Sequence, residues 1–224
     1  YSVTGVQTCA LPISRLVGRY NLSNILAAAA TGMALGLPAD CIVAGIEQQK
    51  GVPGRLERVE NSAGVTCLVD YAHTGDALEN VLSTLKQLAR GRIITVFGCG
   101  GDRDNGKRPI MGRIAAGYSD LAIVTSDNPR TEAPELILQQ IKHGITPMLL
   151  REYQHDELAS GLPEKGFTVV EDRRVAIRLG ARIARPGDIL LLAGKGHEVY
   201  QIIAKTKHHF DDREQATLAF EEPD

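Results

Sequence analysis

The sequence predicts an α/β fold built on a mostly parallel, Rossmann-like sheet with helices on both faces. Three observations predict it. From Val65 onward, short apolar runs alternate with longer amphipathic ones in the order strand, loop, helix. The short runs "CLV", "IITVF", "LAIV" and "ILLLA" are almost free of polar residues, as strands buried on both faces are. Loops rich in glycine or charge, "GCGGDRDNGK", "SDNPR" and "AGKGHE", follow three of these runs. They therefore fall at the carboxyl ends of parallel strands, where open α/β sheets carry their sites.

Each element has a local reason. "NLSNILAAAATGMALGL" (Asn21 to Leu37) is rich in Ala and Leu and stops at Pro38, which predicts a helix; a second, "PADCIVAGIEQQ", takes Pro38 in its first turn and ends before Gly51. "GRLERVE" (Gly54 to Glu60) alternates like an edge strand, and "NSAG" (Asn61 to Gly64) is a turn, taken as a domain boundary. Beyond it come a strand "VTCLVDYA", helix "GDALENVLSTLKQLA", strand "RIITVFG", helix "KRPIMGRIAAGY" and strand "DLAIVT". A helix "APELILQQIKHG", strand "FTVVE", helix "RRVAIRLGARIA" and strand "DILLLAG" complete the alternation. "VYQIIAKTKHHFDD" reads as a hairpin folded onto one sheet edge, with a short last helix from Arg213.

Composition narrows the function classes. With 25 basic and 27 acidic residues among 224, a net charge of -2 and no basic run interleaved with aromatics, the chain carries no nucleic-acid groove. Any anionic ligand must be held locally. Cys9, Cys41, Cys67 and Cys99 lack CxxC spacing, so neither a disulfide framework nor a zinc site is expected, as suits a reduced cytoplasmic protein. The longest apolar stretches are too short or too interrupted by glycine to span a bilayer. "YSVTGVQTCALPIS" (Tyr1 to Ser14) has neither the basic start nor the apolar centre of a signal peptide; it resembles a translated sequencing-library adaptor, a non-native segment at a truncated gene end.

Four loops carry residues suited to chemistry. In "FGCGGDRDNGKRP" (Phe97 to Pro109), Gly98, Gly100 and Gly101 allow close backbone approach, and the next helix offers its amino-terminal N–H groups to an anion. The spacing is neither GxGxxG nor GxxxxGK[ST]. In "VDYAHTGDA", Asp70 ends a strand, where a carboxylate commonly takes ribose hydroxyls, and His73 lies in the turn before a helix. In "AGKGHEVYQ", Lys195 between two glycines is either a flexible surface charge or a contact to an anion, and Glu198 either caps the next segment or meets a ligand ammonium. In "SDNPR", Pro129 fixes the backbone before Arg130, Asn128 supplies donor and acceptor, and a guanidinium so held suits a carboxylate. With Arg103 and Glu198 on neighbouring loops, two cationic forks and an anion would accept an amino acid with more than one carboxylate and an amine.

Together, "GRYNLSN", "GVPGRLE", "VDYAHTGDALENVL", "VFGCGGDRDNGKRPIMG", "SDNPRTE" and "AGKGHEVYQ" resemble the Mur ligase family, in its diaminopimelate-adding branch, from about Val17 to the end of the chain. The resemblance implies a soluble, cytoplasmic, monomeric part of an ATP- and Mg2+-dependent ligase of peptidoglycan-precursor synthesis. Its substrates would be meso-diaminopimelate, a UDP-MurNAc-dipeptide and ATP. The D-glutamate carboxylate of the precursor would be activated as an acyl phosphate and then attacked by the diaminopimelate amine. Residues 15–62 would be the tail of the central ATP-binding α/β domain, and 63–224 the amino-acid-binding domain. By match to family motifs, Arg103, Asp127, Asn128, Pro129, Arg130, Gly194 and Glu198 would hold diaminopimelate. Asn24, Arg55, Asp70 and His73 would lie on the ATP side. No catalytic residue and no metal ligand falls in this chain. The family's usual proline is replaced by Gly75, and its P-loop, magnesium ligands, carbamylated lysine and UDP-binding domain have no counterpart here, so the chain by itself is expected not to ligate. A Mur-type ligase adding lysine, or glutamate as in the folylpolyglutamate synthetase branch, and a non-catalytic amino-acid or nucleotide binding module are the alternatives. The glycine spacing disfavours a nicotinamide oxidoreductase.

Overall fold

A computed structural model of the chain describes residues 19–49, 51–159 and 161–222. The Tyr1 to Ser14 segment, with Cys9, lies outside the described residues. Two compact units divide at Val52 and Pro53.

The first unit holds helices α1 (Arg19–Ala34) and α2 (Ala39–Gln48). At the end of α1, Leu35, Gly36 and Leu37 turn their amides back onto the carbonyls of Thr31, Met33 and Gly32, and Gly36 takes a φ of 73°. That left-handed turn is cheap only for glycine, so the helix ends at Ala34, three residues before the Leu37 end that the sequence predicts. Pro38 then accepts from the amides of Cys41 and Ile42 to start α2.

The second unit is a seven-stranded sheet. Its strands are β1 (Glu57–Val59), β2 (Thr66–Asp70), β3 (Ile93–Phe97), β4 (Leu121–Val124), β5 (Arg151–Glu152), β6 (Gly166–Val169) and β7 (Ile189–Ala193), in the spatial order β1-β2-β7-β3-β4-β6-β5. β1 alone runs antiparallel. The turn Asn61 to Gly64 lies inside this unit, because Glu57 to Val59 pairs across it with Cys67 to Val69. The compact unit thus starts about ten residues before the turn that the sequence marked, since an edge strand belongs to the sheet it pairs with.

Alternation sorts the core into two layers. Cys67, Val69, Ile94, Val96, Leu121, Ile123, Leu190 and Leu192 point to one face, where they pack with residues of α7 (Arg173–Ile183) and α8 (Asp212–Glu221). The intervening residues meet the layer formed by α3 (Gly75–Leu88), α4 (Lys107–Tyr118) and α5 (Pro134–Ile145), packed in that order. Thr74 caps α3, and Asp172 caps α7. Gly75 begins α3 beneath α4, where a Cβ would stand 2.9 Å from the Ile110 Cγ2.

Two features differ from expectation. β5 and the one-turn α6 (His155–Ala159) have no strong sequence signal, being two exposed residues and five mixed ones. The hairpin β8 (Tyr200–Ile203) and β9 (Thr206–His209) forms but joins no sheet edge. It is its own two-stranded ribbon, bridged to the β4 loop where Arg130 pairs with Ile203. Among the described residues no helix is long and apolar enough to cross a membrane.

Candidate functional site

The chain runs outward through β3 and β4 to β5 at the edge, steps back to β6 and then returns to insert β7 between β2 and β3. The carboxyl ends of β2, β7, β3 and β4 are therefore neighbours, and their four loops share one rim.

The loops after β3 and β4 run backbone against backbone. A Cβ on Gly98 would stand 2.3 Å from the Thr125 carbonyl oxygen, and one on Gly101 would collide with that of Pro129. Both positions need glycine for this approach. The Gly101 amide donates to the Asn128 carbonyl at 2.8 Å. Arg108, fully buried on α4, clasps the two loops from beneath. It donates to both Glu132 oxygens at 2.8 and 2.9 Å and to the Gly100 carbonyl at 3.0 Å. Glu132 in turn accepts from the Asp102 amide, and Asp102 accepts from Thr131 Oγ1 at 2.8 Å. The hydrogen-bonded guanidinium of Arg108 holds the Glu132 carboxyl below its ordinary value.

Arg130 sits on this scaffold with a φ of 54°, half-buried, its Nη1 donating to the Gly101 carbonyl at 2.7 Å and its amide to the Ile202 carbonyl at 3.1 Å. Asn128 is 4% exposed; its Nδ2 donates to Glu198 Oε2 at 3.0 Å, and its Oδ1 accepts from the Ile202 amide at 2.9 Å and from Lys195 Nζ at 3.2 Å. Gly194 and Gly196, at φ 113° and 53°, turn Lys195 inward, where its Nζ lies 2.9 Å from Asp127 Oδ1. Burial alone would raise the Asp127 carboxyl, but Lys195, with Arg173 and Arg130 further off, outweighs burial and holds it below its ordinary value. Arg173 is itself buried, paired through Nε and Nη2 with Asp212 at 2.8 and 2.6 Å.

On the β2 side the rim is aromatic. Tyr71 stacks at a tilt between His73 and His197, with ring centroids 4.5 and 5.2 Å away, and the Arg55 guanidinium lies 5.4 Å from its ring centre. The His73 Nδ1 lies 2.8 Å from the Tyr71 carbonyl, and Lys107 Nζ donates to the His73 carbonyl at 2.7 Å. Asp70 is 2% exposed and accepts from the Leu56 amide at 2.7 Å and the Ala72 amide at 2.8 Å. Burial pushes its carboxyl up, against the pull of those two amides and of Arg55.

The rim thus gathers Asn128, Arg130, Gly194 and Glu198 at one place, with Arg103 exposed on the adjoining loop. Arg55 and His73 gather around Tyr71. Asn24 lies in the first unit, exposed, its Nδ2 3.4 Å from Asn21 Oδ1. Two expectations change. Asp127, expected at the ligand, faces inward to Lys195, and Pro129 beside it is buried. Asp70, expected to take ribose hydroxyls, instead clamps the Leu56 turn to the end of β2. Sequence reasoning missed Arg108, Glu132, Arg173, Asp212 and Gln201, whose Nε2 donates to the Asp127 carbonyl at 2.7 Å. Glu132, Arg108 and Gln201 lie within the quoted motifs "SDNPRTE", "VFGCGGDRDNGKRPIMG" and "AGKGHEVYQ", whereas Arg173 and Asp212 lie outside them.

Comparisons with known proteins bear on this rim. Residues 54–196 match the family described as "Mur ligase, glutamate ligase domain". The chain is 63% identical over 229 residues to the UDP-N-acetylmuramoyl-L-alanyl-D-glutamate--2,6-diaminopimelate ligase of Geobacter metallireducens, covering 99% of this chain and 45% of that protein. It is 64% identical over 211 residues to the enzyme of that name from Geobacter sulfurreducens, covering 94% of this chain and 42% of that protein. A solved structure of a ligase of the same name superposes with a TM-score of 0.67 at 38% identity, over 93% of this chain and 40% of the other. The folylpolyglutamate synthase of Thermotoga maritima, at 22% identity and a TM-score of 0.59, shares the fold. The chain spans less than half the length of the curated relatives it matches.

Proposed function

The chain belongs to the Mur ligase family, and from that premise we propose that it is the carboxy-terminal part of a cytoplasmic, ATP-dependent ligase adding meso-diaminopimelate to UDP-MurNAc-L-Ala-D-Glu. The names of its relatives support this reading. The observation that carries it is the pairing, on one rim, of a guanidinium fixed by the Gly101 carbonyl with a carboxylate fixed by the Asn128 amide. A ligand meeting both must offer an acid group and an amine. Diaminopimelate offers these at each end, whereas lysine has no distal carboxylate to meet Arg130.

The geometry supports a role for each residue. Arg130 grips the distal carboxylate through guanidinium N–H groups that the Gly101 carbonyl leaves available. Glu198 takes an ammonium through Oε1, since Oε2 already accepts from Asn128. Arg103, exposed one loop away, completes the charge match to a second carboxylate. The incoming amine is thereby oriented, and orientation is a large part of catalysis in amide formation.

ATP, when bound, supplies the phosphoryl group that activates the acceptor carboxylate. Arg55 and His73, flanking the Tyr71 ring, fit a nucleotide, because they offer cationic and aromatic surface at the β2 end. Asp70 does not fit as a direct contact, being engaged by two backbone amides. Among the described residues no cluster of three His, Cys, Asp or Glu side chains assembles.

Calorimetric titration of the chain with meso-diaminopimelate and with L-lysine tests the reading. Saturable binding of diaminopimelate, with lysine weaker by at least about tenfold, is expected from the loss of one charge-assisted contact. Equal or tighter binding of lysine overturns it.

A further inference from the structure

The Lys195 side chain has no place in the roles above. A lysine between two glycines reads as either a flexible surface charge or a contact to an anion, and this one is 0% exposed. Its ammonium donates to Asn128 Oδ1 at 3.2 Å and to the Tyr200 carbonyl at 2.8 Å, and forms an ion pair with Asp127 Oδ1 at 2.9 Å. A fully buried ammonium held by two hydrogen bonds and an ion pair is committed to the protein's interior rather than to a ligand anion.

Its partners are the parts that shape the rim. Asn128 Oδ1 accepts from Lys195 and from the Ile202 amide, two groups that can only donate. The amide therefore has one orientation, with Nδ2 toward Glu198. Ile202 also accepts from the Arg130 amide, and this bond sits where Arg130 adopts its left-handed backbone. Tyr200, held by Lys195, and Gln201, donating to the Asp127 carbonyl, seat the same hairpin strand.

We propose that Lys195 is a positioning residue for the amino-acid pocket: its buried ammonium fixes the Asn128 amide and docks the β8–β9 hairpin, so that Glu198 and Arg130 present themselves to one ligand. This rests on the ligand assigned above, but the docking part stands without it. The flanking glycines acquire a reason as well, since their φ values aim the side chain into the protein.

The test compares the native chain with Lys195→Met and with Lys195→Met combined with Asp127→Leu. The single variant strands a buried carboxylate and is expected to lose stability; the double variant removes both buried charges and is expected to recover it. Hydrogen exchange of the Ile202 and Arg130 amides, read without ligand, should quicken by at least about tenfold in both variants relative to the β3 and β4 amides, the scale of one lost hydrogen bond. Calorimetry should show diaminopimelate affinity down by about tenfold or more in the double variant despite its recovered melting temperature. Affinity that returns with stability, or unchanged exchange at both amides, overturns the proposal. If the native chain takes up no diaminopimelate, the substrate reading falls, and the exchange result alone decides whether Lys195 docks the hairpin.

Discussion

The Arg130 guanidinium and the Gly100 backbone share one space: a Cβ on Gly100 would stand 2.8 Å from Arg130 Nη1, the nitrogen that donates to the Gly101 carbonyl. Gly100 has no positive φ, so alanine suits its backbone. The atom it would strike is the end of a flexible side chain. Gly100→Ala should therefore cost less than about 1 kcal/mol of stability while displacing the guanidinium and weakening diaminopimelate binding about tenfold. Gly101→Ala is the contrast, because its Cβ would collide with the Pro129 carbonyl, which cannot swing away. It should cost about 3 kcal/mol or more, as severe overpacking does. Urea unfolding and calorimetry on both variants check this; equal stability losses would contradict it.

Arg130→Lys isolates the guanidinium. Lysine keeps the charge but loses the planar fork, and at a φ of 54° it is as strained as arginine, so the melting temperature should hold. A lysine that donates to the Gly101 carbonyl as Arg130 does has fewer N–H groups left for a carboxylate. Diaminopimelate binding should weaken by about 1.5 to 3 kcal/mol, the range for a hydrogen bond to a charged group. Calorimetric affinity is the measurement, and an unchanged value would remove Arg130 from the pocket.

These two substitutions touch what the sequence made legible. β2, β3, β4 and β7 are continuous apolar runs with charged loops behind them, and parallel pairing leaves few other arrangements for such runs. Their loops had to share a rim. The hairpin's position was not legible, because it docks through backbone groups and the polar side chains of Asn128, Lys195 and Gln201, which leave no apolar pattern. Lys195 stayed open between a surface charge and a contact to an anion for a related reason: its partner Asn128 lies 67 residues earlier, so nothing beside it shows that it is buried. β5, two exposed residues on the outer edge, offered no period to read. Asp127 looked like a ligand contact by its place in the matched motif and Asp70 by its place at a strand end, and the structure engages both in internal contacts.

The Arg173–Asp212 pair lies at 0% side-chain exposure between α7 and α8, and Arg173 Nη2 also donates to the Ala193 carbonyl at 3.0 Å, at the end of β7. Removing one partner leaves a bare buried charge. Arg173→Met should cost about 3 to 5 kcal/mol, and adding Asp212→Leu should restore most of that loss, since an apolar pair of similar size has no charge to desolvate. Urea midpoints of the two single variants and the double variant form the cycle. A double variant no more stable than the worse single variant would show that the Ala193 bond, rather than charge pairing, sets the cost.

Asp188 anchors the opposite end of the sheet. It accepts from the Arg92 amide at 2.8 Å, from Arg92 Nε and Nη2 at 3.0 and 2.6 Å, and from the Arg185 amide at 2.9 Å. Burial would raise its carboxyl, but these donors prevail and hold it below the ordinary 3.8. A carboxyl lowered by folding stabilises above its unfolded value, and that contribution is lost as pH falls through the folded value. Asp127, Asp211 and Glu132 shift the same way. Stability should therefore stay level from neutral pH to about 5 and decline below about 4. Asp70 has the opposite sign: burial raises it, so the folded state gains protons first and its contribution grows as pH falls. Asp188→Asn should flatten the acid decline, and Asp70→Asn should steepen it. Urea midpoints between about pH 3 and 7 separate the two; a decline already complete near pH 6 would point instead to a histidine.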